Sequence, residues 1–224
     1  MLKAVIFDMD GVLINSEPLH YEVDRLLIEE LGHELDYEYY KQFIGSTNTH
    51  LWTSIKAKFK LKETVSQLHD MADKKKRELL EKNGYPVING VFDMVKRLYE
   101  SGLNLAVASS SPPAYIKEVT EALGIASFFT HLVSGETVEN PKPAPDVFLK
   151  AAQLLETDST DCLVIEDSSN GARAAKRAGM VCIGYINDDS GQQDLSMADY
   201  LIEGYDSVDR TFLEMVHSHA TGNS

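Results

Sequence analysis

A regular alternation of short β-branched runs with helical patterns, which starts at Pro86, is the strongest constraint on how this chain can fold. Strands that alternate with helices form βαβ units, whose strands run parallel and are covered by helices on both faces. An apolar run at 3–7 belongs to the same layer and is a candidate for its centre. The sequence therefore predicts an α/β fold with a Rossmann-like, doubly wound parallel sheet as its core. The predicted strands are 3–7, 103–108, 131–133, 162–165 and 181–186.

A different kind of sequence lies between residues 16 and 85, where no strand pattern occurs. Its first part, 18–31, carries apolar residues at helical spacing and is stopped by Gly32, and further helical patterns follow. We therefore predict two domains. Residues 1–15 and 86–224 form the Rossmann-like core, and residues 16–85 form an all-helical insert directly after the first strand.

The charge of the chain argues against several kinds of partner. It carries 35 acidic and 21 basic residues, a formal charge of −14 at pH 7, which would repel nucleic acid and anionic membrane surfaces. No apolar run approaches the roughly 20 residues that span a membrane. Because the first strand pattern starts at Lys3, no signal or transit peptide is expected, and we predict that the protein is cytoplasmic. We also predict that it is a monomer. Cys162 and Cys182 lie in apolar runs and are predicted to be small buried hydrophobes.

Polar side chains follow the predicted strands, at the edge where open parallel sheets bind their ligands. In chain order they are Asp8 and Asp10, Ser109 and Ser110, Lys142 in a proline-rich loop, and Glu166 and Asp167. Because carboxylates packed in one cleft repel one another, this set implies a bound cation. Oxygen ligands without a nearby His or Cys point to Mg²⁺ as that cofactor.

A hard cation, a lysine and a hydroxyl at one edge can together neutralise a phosphoryl group, whose transfer depends mainly on positioning and charge stabilisation. With its negative charge offset, an aspartate can attack phosphorus and form an aspartyl-phosphate. The pair Asp8 and Asp10 suits this chemistry. One carboxylate would act as nucleophile, and the second would protonate the leaving oxygen and later activate water.

The segments around these residues resemble the four motifs of the haloacid dehalogenase (HAD) superfamily, in the family's order. They read Val-Ile-Phe-Asp8-Met-Asp10-Gly-Val-Leu, Val-Ala-Ser109-Ser-Ser, Asn-Pro-Lys142-Pro-Ala-Pro-Asp and Ile-Glu166-Asp167-Ser-Ser-Asn-Gly171-Ala. The resemblance extends over about 2–187 and includes the helical insert, which is similar to the small helical cap of the β-phosphoglucomutase and sugar-phosphatase branch. It implies a core that carries the chemistry and a cap that selects the substrate.

The resemblance also implies a role for each motif residue. Asp8 would be the phosphorylated nucleophile and a Mg²⁺ ligand, and Asp10 would be the general acid and base, with its backbone carbonyl on the metal. The other implied roles are phosphoryl binding by Ser109, the Ser110 amide and Lys142, completion of the Mg²⁺ shell by Glu166 and Asp167, a hinge at Gly11, and orientation of Asp10 by Ser16. Two simpler structural alternatives are that Ser109 caps a helix and that Glu166 contacts the metal ligands without contacting the metal itself.

The insert contributes four candidate substrate contacts, His20, Gly45, Asn48 and Lys75. The resemblance implies substrate contacts from a histidine at 20 and a lysine near 75. The simpler alternatives are that His20 is a half-buried helix residue and that Lys75 belongs to a solvated basic face. Asn48 stands about where phosphoglucomutases of this branch carry an arginine that grips the phosphate that is not transferred. Asn15, where many relatives carry an aspartate, is a second departure. The aromatic residues Trp52, Tyr37, Tyr39 and Tyr40 are expected in the core of the insert rather than in a binding cage.

The arginine missing at position 48 favours hydrolysis over mutase activity, because a mutase must hold a bisphosphate in both orientations. We therefore predict a Mg²⁺-dependent phosphatase that acts on a small phosphorylated metabolite, such as a sugar or polyol phosphate. The alternatives are a β-phosphoglucomutase and, more remotely, a phospho-receiver module, which has no insert after its first strand. Haloacid dehalogenation is disfavoured, because those enzymes lack the aspartate at the Asp10 position.

Overall fold

The structure is a computed structural model that describes residues 1–44 and 46–222. Its strands are β1 (Ala4–Phe7), β2 (Asn104–Ser109), β3 (His131–Ser134), β4 (Cys162–Glu166), β5 (Val181–Tyr185) and β6 (Tyr200–Ile202). These six strands form one sheet in the order β3-β2-β1-β4-β5-β6, and every neighbouring pair is parallel. The strand order runs outward in both directions from the middle of the sheet, as in doubly wound folds. The predicted Rossmann-like α/β fold is confirmed.

The described helices are α1 (Ser16–Glu30), α2 (Tyr37–Tyr40), α3 (Asn48–Phe59), α4 (Val65–Asn83), α5 (Val91–Glu100), α6 (Pro113–Ala122), α7 (Asp146–Leu154), α8 (Ser169–Arg177) and α9 (Arg210–Thr221). None of these described helices is long and apolar enough to cross a membrane. The chain divides into two compact units. The core unit comprises Met1–Ile14, Val87–Asp188 and the chain from Gln192 onward, and the helical unit comprises Asn15–Pro86 together with Asp189–Gly191.

Strand β1 lies within the core unit and is buried along its whole length. Its alternate residues Ala4 and Ile6 join an apolar cluster that includes Phe148 of α7 and Ala175 of α8. Phe7 pairs with residues of β2 on one side and of β4 on the other. Because these strands are parallel and neighbours, the residues that follow them emerge at the same edge of the sheet.

The helical unit has an apolar core of its own, which contains Leu27 of α1, Trp52 and Ile55 of α3, and Leu68 of α4. Helix α4 begins with a capping box, in which Thr64 and the following Gln67 exchange side-chain and backbone hydrogen bonds. Such a cap satisfies amide groups that the first turn of a helix leaves without partners.

A short segment that we assigned to the core range, Asp189–Gly191, is grouped with the helical unit instead. The side-chain amide of Asn15 donates a hydrogen bond of 2.6 Å to Oδ2 of Asp189. Gly191 has a φ of +73°, and a Cβ atom there would lie 3.0 Å from the Ile44 side chain. Glycine therefore permits this close approach, which no local sequence pattern indicated.

Candidate active site

The ammonium group of Lys142 joins two carboxylates at the carboxyl edge of the sheet. Its Nζ donates to Oδ1 of Asp8 at 2.7 Å and to Oε1 of Glu166 at 2.9 Å. It also donates to the backbone carbonyl of Ala108 at 3.1 Å. An ammonium group has three N–H donors, so the geometry uses all of them, and the side chain is only 6% exposed.

The loop before α7 carries Lys142 to this place and is held at several points. The backbone amide and side-chain amide of Asn140 both donate to Oδ2 of Asp146, at 3.1 and 3.0 Å. Arg177 of α8 donates to the carbonyl of Pro143 at 2.9 Å. The loop is therefore anchored on both sides of the lysine, which limits where its ammonium group can lie.

Glu166, the last residue of β4, is fully buried. Its Oε1 accepts from Lys142, and its Oε2 accepts from the backbone amide of Ser168 at 2.6 Å. Gly171 on α8 lies so close that a Cβ atom there would be 1.5 Å from Oε1 of Glu166. The glycine is thus required for the carboxylate to reach the lysine, a role that the sequence analysis did not assign although it included Gly171 in a motif.

Asp8, Glu166 and Asp167 form a buried group whose carboxylate oxygens lie within 4.8 Å of one another. Gly11 has a φ of +80°, and a Cβ atom there would lie 1.9 Å from Oδ2 of Asp167, so only a glycine leaves room for this carboxylate. With Lys142 included, the four charged groups carry two net negative charges. A buried, oxygen-only set with that charge fits a divalent cation such as Mg²⁺.

The pKa values of Asp8 and Lys142 reflect the same excess of negative charge. Burial raises the pKa of Asp8 to about 7; the Lys142 ammonium opposes this shift and Glu166 adds to it. Burial by itself would lower the pKa of Lys142, but the attraction of Asp8 and Glu166 outweighs burial and raises it. One buried lysine therefore does not fully compensate the acids around it, and a further positive charge would stabilise their ionised forms.

Among the described residues, the group of three carboxylates does not include Asp10. Its Oδ2 accepts a hydrogen bond of 2.8 Å from the hydroxyl of Ser111. The sequence analysis missed Ser111, although the run of three serines after β2 was a signal that more than one hydroxyl serves the site.

The turn after β2 is fixed by the buried Ser109, whose Oγ accepts from the Ser111 amide at 3.0 Å. Ser110 between them is exposed. Gly135 allows the next loop to approach, since a Cβ atom there would lie 3.3 Å from the Ser110 Cα atom. The turn thus presents Ser110 towards solvent while it holds its two neighbours in place.

The candidate contacts from the insert belong to the helical unit. Lys75 forms ion pairs with Glu30 and, at 3.3 Å, with Glu78 of its own helix, so its charge is already balanced by acids of the same unit. His20 is half-buried on α1, and Asn48 is the exposed first residue of α3. Gly45 lies outside the described residues.

Comparison with known proteins gives one family match. A family model described as haloacid dehalogenase-like hydrolase matches residues 5–185. A phosphorylated carbohydrates phosphatase of Thermotoga maritima is 31% identical over 183 residues, which cover 80% of this chain and 82% of the relative. A β-phosphoglucomutase of Bacillus subtilis is 29% identical over 189 residues, which cover 82% of this chain and 83% of the relative.

Two further similarities differ in what they show. The chain is 32% identical over 229 residues to the chloroplastic protein SUPPRESSOR OF QUENCHING 1 of Arabidopsis thaliana, but the match covers 92% of this chain and only 21% of that protein, so it spans about a fifth of that relative. The solved structure of a HAD family hydrolase from Deinococcus radiodurans R1 has a TM-score of 0.78 and 24% identity, and the match covers 98% of this chain and 96% of that one. At this identity the likeness shows the fold.

Proposed function

Because the chain belongs to the haloacid dehalogenase-like hydrolase family, we propose that it is a Mg²⁺-dependent phosphatase that hydrolyses a small sugar phosphate. The observation that carries this proposal is the contact of Lys142 with Asp8 and Glu166 beside Asp167. This arrangement puts a candidate nucleophile, a fixed positive charge and a candidate cation site within one cluster. Phosphoryl transfer needs these three parts.

In the proposed reaction Asp8 acts first. Its carboxylate forms a bond to phosphorus as the bond between phosphorus and the ester oxygen breaks, and the leaving oxygen takes a proton from Asp10. Asp10 then removes a proton from a water molecule, whose oxygen attacks the aspartyl-phosphate. Inorganic phosphate leaves and the Asp8 carboxylate is regenerated.

The surrounding residues stabilise charge and orient these groups. Lys142 neutralises part of the charge on Asp8 and on the phosphoryl oxygens. Ser109 and the backbone amide of Ser110 would hold those oxygens, and the hydroxyl of Ser111 orients the Asp10 carboxylate. Asp8, Glu166 and Asp167 would hold Mg²⁺, with the Asp10 carbonyl, and the bound cation supplies positive charge that offsets the acids and the phosphoryl group.

The choice of a sugar phosphate is supported by the relative from Thermotoga maritima, which is named for phosphorylated carbohydrates. We propose that the helical unit serves as the cap that selects the substrate. A mutase is the second candidate, because the relative from Bacillus subtilis is named a β-phosphoglucomutase. The absence of a cation at Asn48 favours the hydrolase.

The test is phosphate release from a panel of sugar phosphates, with Mg²⁺ and with a chelator. We expect release that depends on Mg²⁺, that is abolished by Asp8→Asn, and that is retained by Asp70→Asn, a matched change at an exposed aspartate of α4. Activity that survives Asp8→Asn would overturn the mechanism. Conversion of β-glucose 1-phosphate to glucose 6-phosphate with a bisphosphate primer, without free phosphate, would establish the mutase instead.

A further inference from the structure

The turn that follows β1 carries Asp10 and is closed by bonds within its own backbone. The Gly11 amide donates to the carbonyl of Ile14 at 2.7 Å, and the Ile14 amide donates to the carbonyl of Met9 at 3.1 Å. Gly11 and Val12 are buried. Buried backbone carbonyls are nearly always paired with a hydrogen-bond donor, so the carbonyls of this turn need donors as well.

Two side chains from the C-terminal third of the chain supply such donors. The hydroxyl of Tyr205, in the segment between β6 and α9, donates to the carbonyl of Val12 at 2.8 Å. The side-chain amide of Asn187, just after β5, donates to the carbonyl of Gly11 at 3.1 Å. All four residues belong to the core unit. The turn is thus held by residues that lie 193 and 176 positions further along the chain.

The side chain of Tyr205 is itself fixed in place. It is 2% exposed, and its ring stacks on that of Tyr185, with the centroids 4.8 Å apart and the planes at 15°. Its backbone carbonyl accepts a hydrogen bond of 2.9 Å from Arg97 of α5. Burial raises the pKa of Tyr205 well above its ordinary value of 10, so the hydroxyl keeps its proton and remains a donor. A donor held at both ring and backbone can keep its acceptor in one place.

Asp8 and Asp10 are held in different ways. The Asp8 amide donates to the carbonyl of Ile165 in β4 at 3.0 Å, which ties Asp8 to the sheet, and its carboxylate accepts from Lys142. Asp10 lies two residues further on, so its backbone depends on the bonds that hold the turn. A displacement of about 1 Å can lower a rate about a hundredfold. Loosening of the turn should therefore weaken proton transfer by Asp10 more than attack by Asp8.

We infer that Tyr205 is a positioning residue for the proposed phosphatase reaction: through the carbonyl of Val12 its hydroxyl fixes the turn from which Asp10 delivers and removes protons. Tyr205 acts through the turn and not on the reacting atoms. The inference rests on the proposed function and deepens it, because it assigns a role to a residue outside the four motifs.

Amide hydrogen exchange tests the positioning without any need for activity. Tyr205→Phe removes the O–H donor and keeps the ring, so the chain should fold. We expect the exchange rates of amides 11–14 to rise about fivefold more than those of β4, because the lost bond is local to the turn. Tyr185→Phe is the matched control, since it removes a hydroxyl from the other ring of the stack and keeps the bond to Val12. It should leave exchange in the turn unchanged.

Kinetics with two substrates test the consequence for the reaction. A sugar phosphate needs a proton on its leaving oxygen, whereas the leaving group of p-nitrophenyl phosphate departs without one. We expect Tyr205→Phe to lower kcat/KM about tenfold for the best sugar phosphate of the panel and less than about twofold for p-nitrophenyl phosphate. A mere loss of folded enzyme would lower both values by the same factor. Tyr185→Phe should leave both unchanged.

Asn187→Ala is a second variant, which removes the donor to Gly11 from a different segment and should also speed exchange in the turn. The inference fails if Tyr205→Phe raises exchange in the turn no more than Tyr185→Phe does, or if the two substrates lose kcat/KM equally. If the parent enzyme releases no phosphate from either substrate, the proposed function fails instead, and the exchange rates still decide whether Tyr205 fixes the turn.

Discussion

The hydroxyl of Ser111 donates a hydrogen bond of 2.8 Å to the carboxylate of Asp10. Ser111 is itself held, because its amide donates to Oγ of Ser109 at 3.0 Å and its carbonyl accepts from the hydroxyl of Ser134 at 2.7 Å. A carboxylate with a fixed donor keeps one orientation, which proton transfer in the proposed mechanism requires. The turn after β2 therefore positions the acid that follows β1.

Replacing Ser111 with alanine should lower kcat for phosphate release about tenfold with little change in KM, because the substrate still binds while Asp10 loses its orienting donor. Steady-state kinetics with the best substrate of the panel measure this. Ser66→Ala, at an exposed serine of α4, is the matched control and should leave both constants unchanged. A Ser111→Ala enzyme with normal kcat would show that the hydrogen bond does not matter.

Gly171→Ala should destabilise the core unit by about 1 to 3 kcal/mol, because the added methyl group overlaps Oε1 of Glu166 and must displace a fully buried carboxylate. Urea unfolding measures the change. Gly204→Ala provides the comparison, since a Cβ atom there meets nothing within 4 Å. Equal stability of the two variants would mean that the Glu166 side chain can adopt another position at little cost in free energy.

Asp24 on α1 should make stability depend on pH. Burial raises its pKa from an ordinary value of 3.8 to about 8, and the nearby charge of Glu17 adds to the shift. Between about pH 4 and pH 8 the folded state therefore holds a proton that the unfolded state has lost, so the free energy of unfolding falls as the pH rises through this window.

Asp24→Asn stays neutral throughout, so its gain in stability over the parent should be small at pH 4 and grow to the order of a few kcal/mol at pH 8. Urea unfolding at several pH values gives the difference. Asp70→Asn at an exposed position should show no such trend. If the gain were constant across this range, Asp24 would not be the titrating group.

Asn15→Asp should destabilise the attachment of Asp189, because the 2.6 Å hydrogen bond would be replaced by two like charges. We expect a loss of about 1 to 3 kcal/mol in the free energy of unfolding. The double variant Asn15→Asp with Asp189→Asn restores a donor and an acceptor in the opposite order, and it should recover most of that loss. Additive losses in the double variant would contradict the pairing.

The fold class followed from strand and helix periodicity, and the family from the resemblance of four motifs; both are confirmed. Strand and helix periodicity predicts a parallel sheet, and the carboxyl ends of parallel strands must meet at one edge. For this reason residues as far apart in the chain as Asp8, Lys142 and Glu166 could be assigned to one place before the structure was known. The roles of these residues in catalysis stay predictions until the variants are measured.

Other features depend on contacts between distant segments, which no local pattern encodes. The sequence offered no sign that Lys75, whose contact with substrate stays a prediction, would pair with Glu30 through the packing of α4 beside α1. It also offered no sign that Asp189 would join the helical unit. Periodicity and residue type act locally, so they were enough to predict the layers of the fold and the polar groups at the strand ends. Which charges pair with one another had to come from the structure, because it depends on how side chains far apart in the chain pack together.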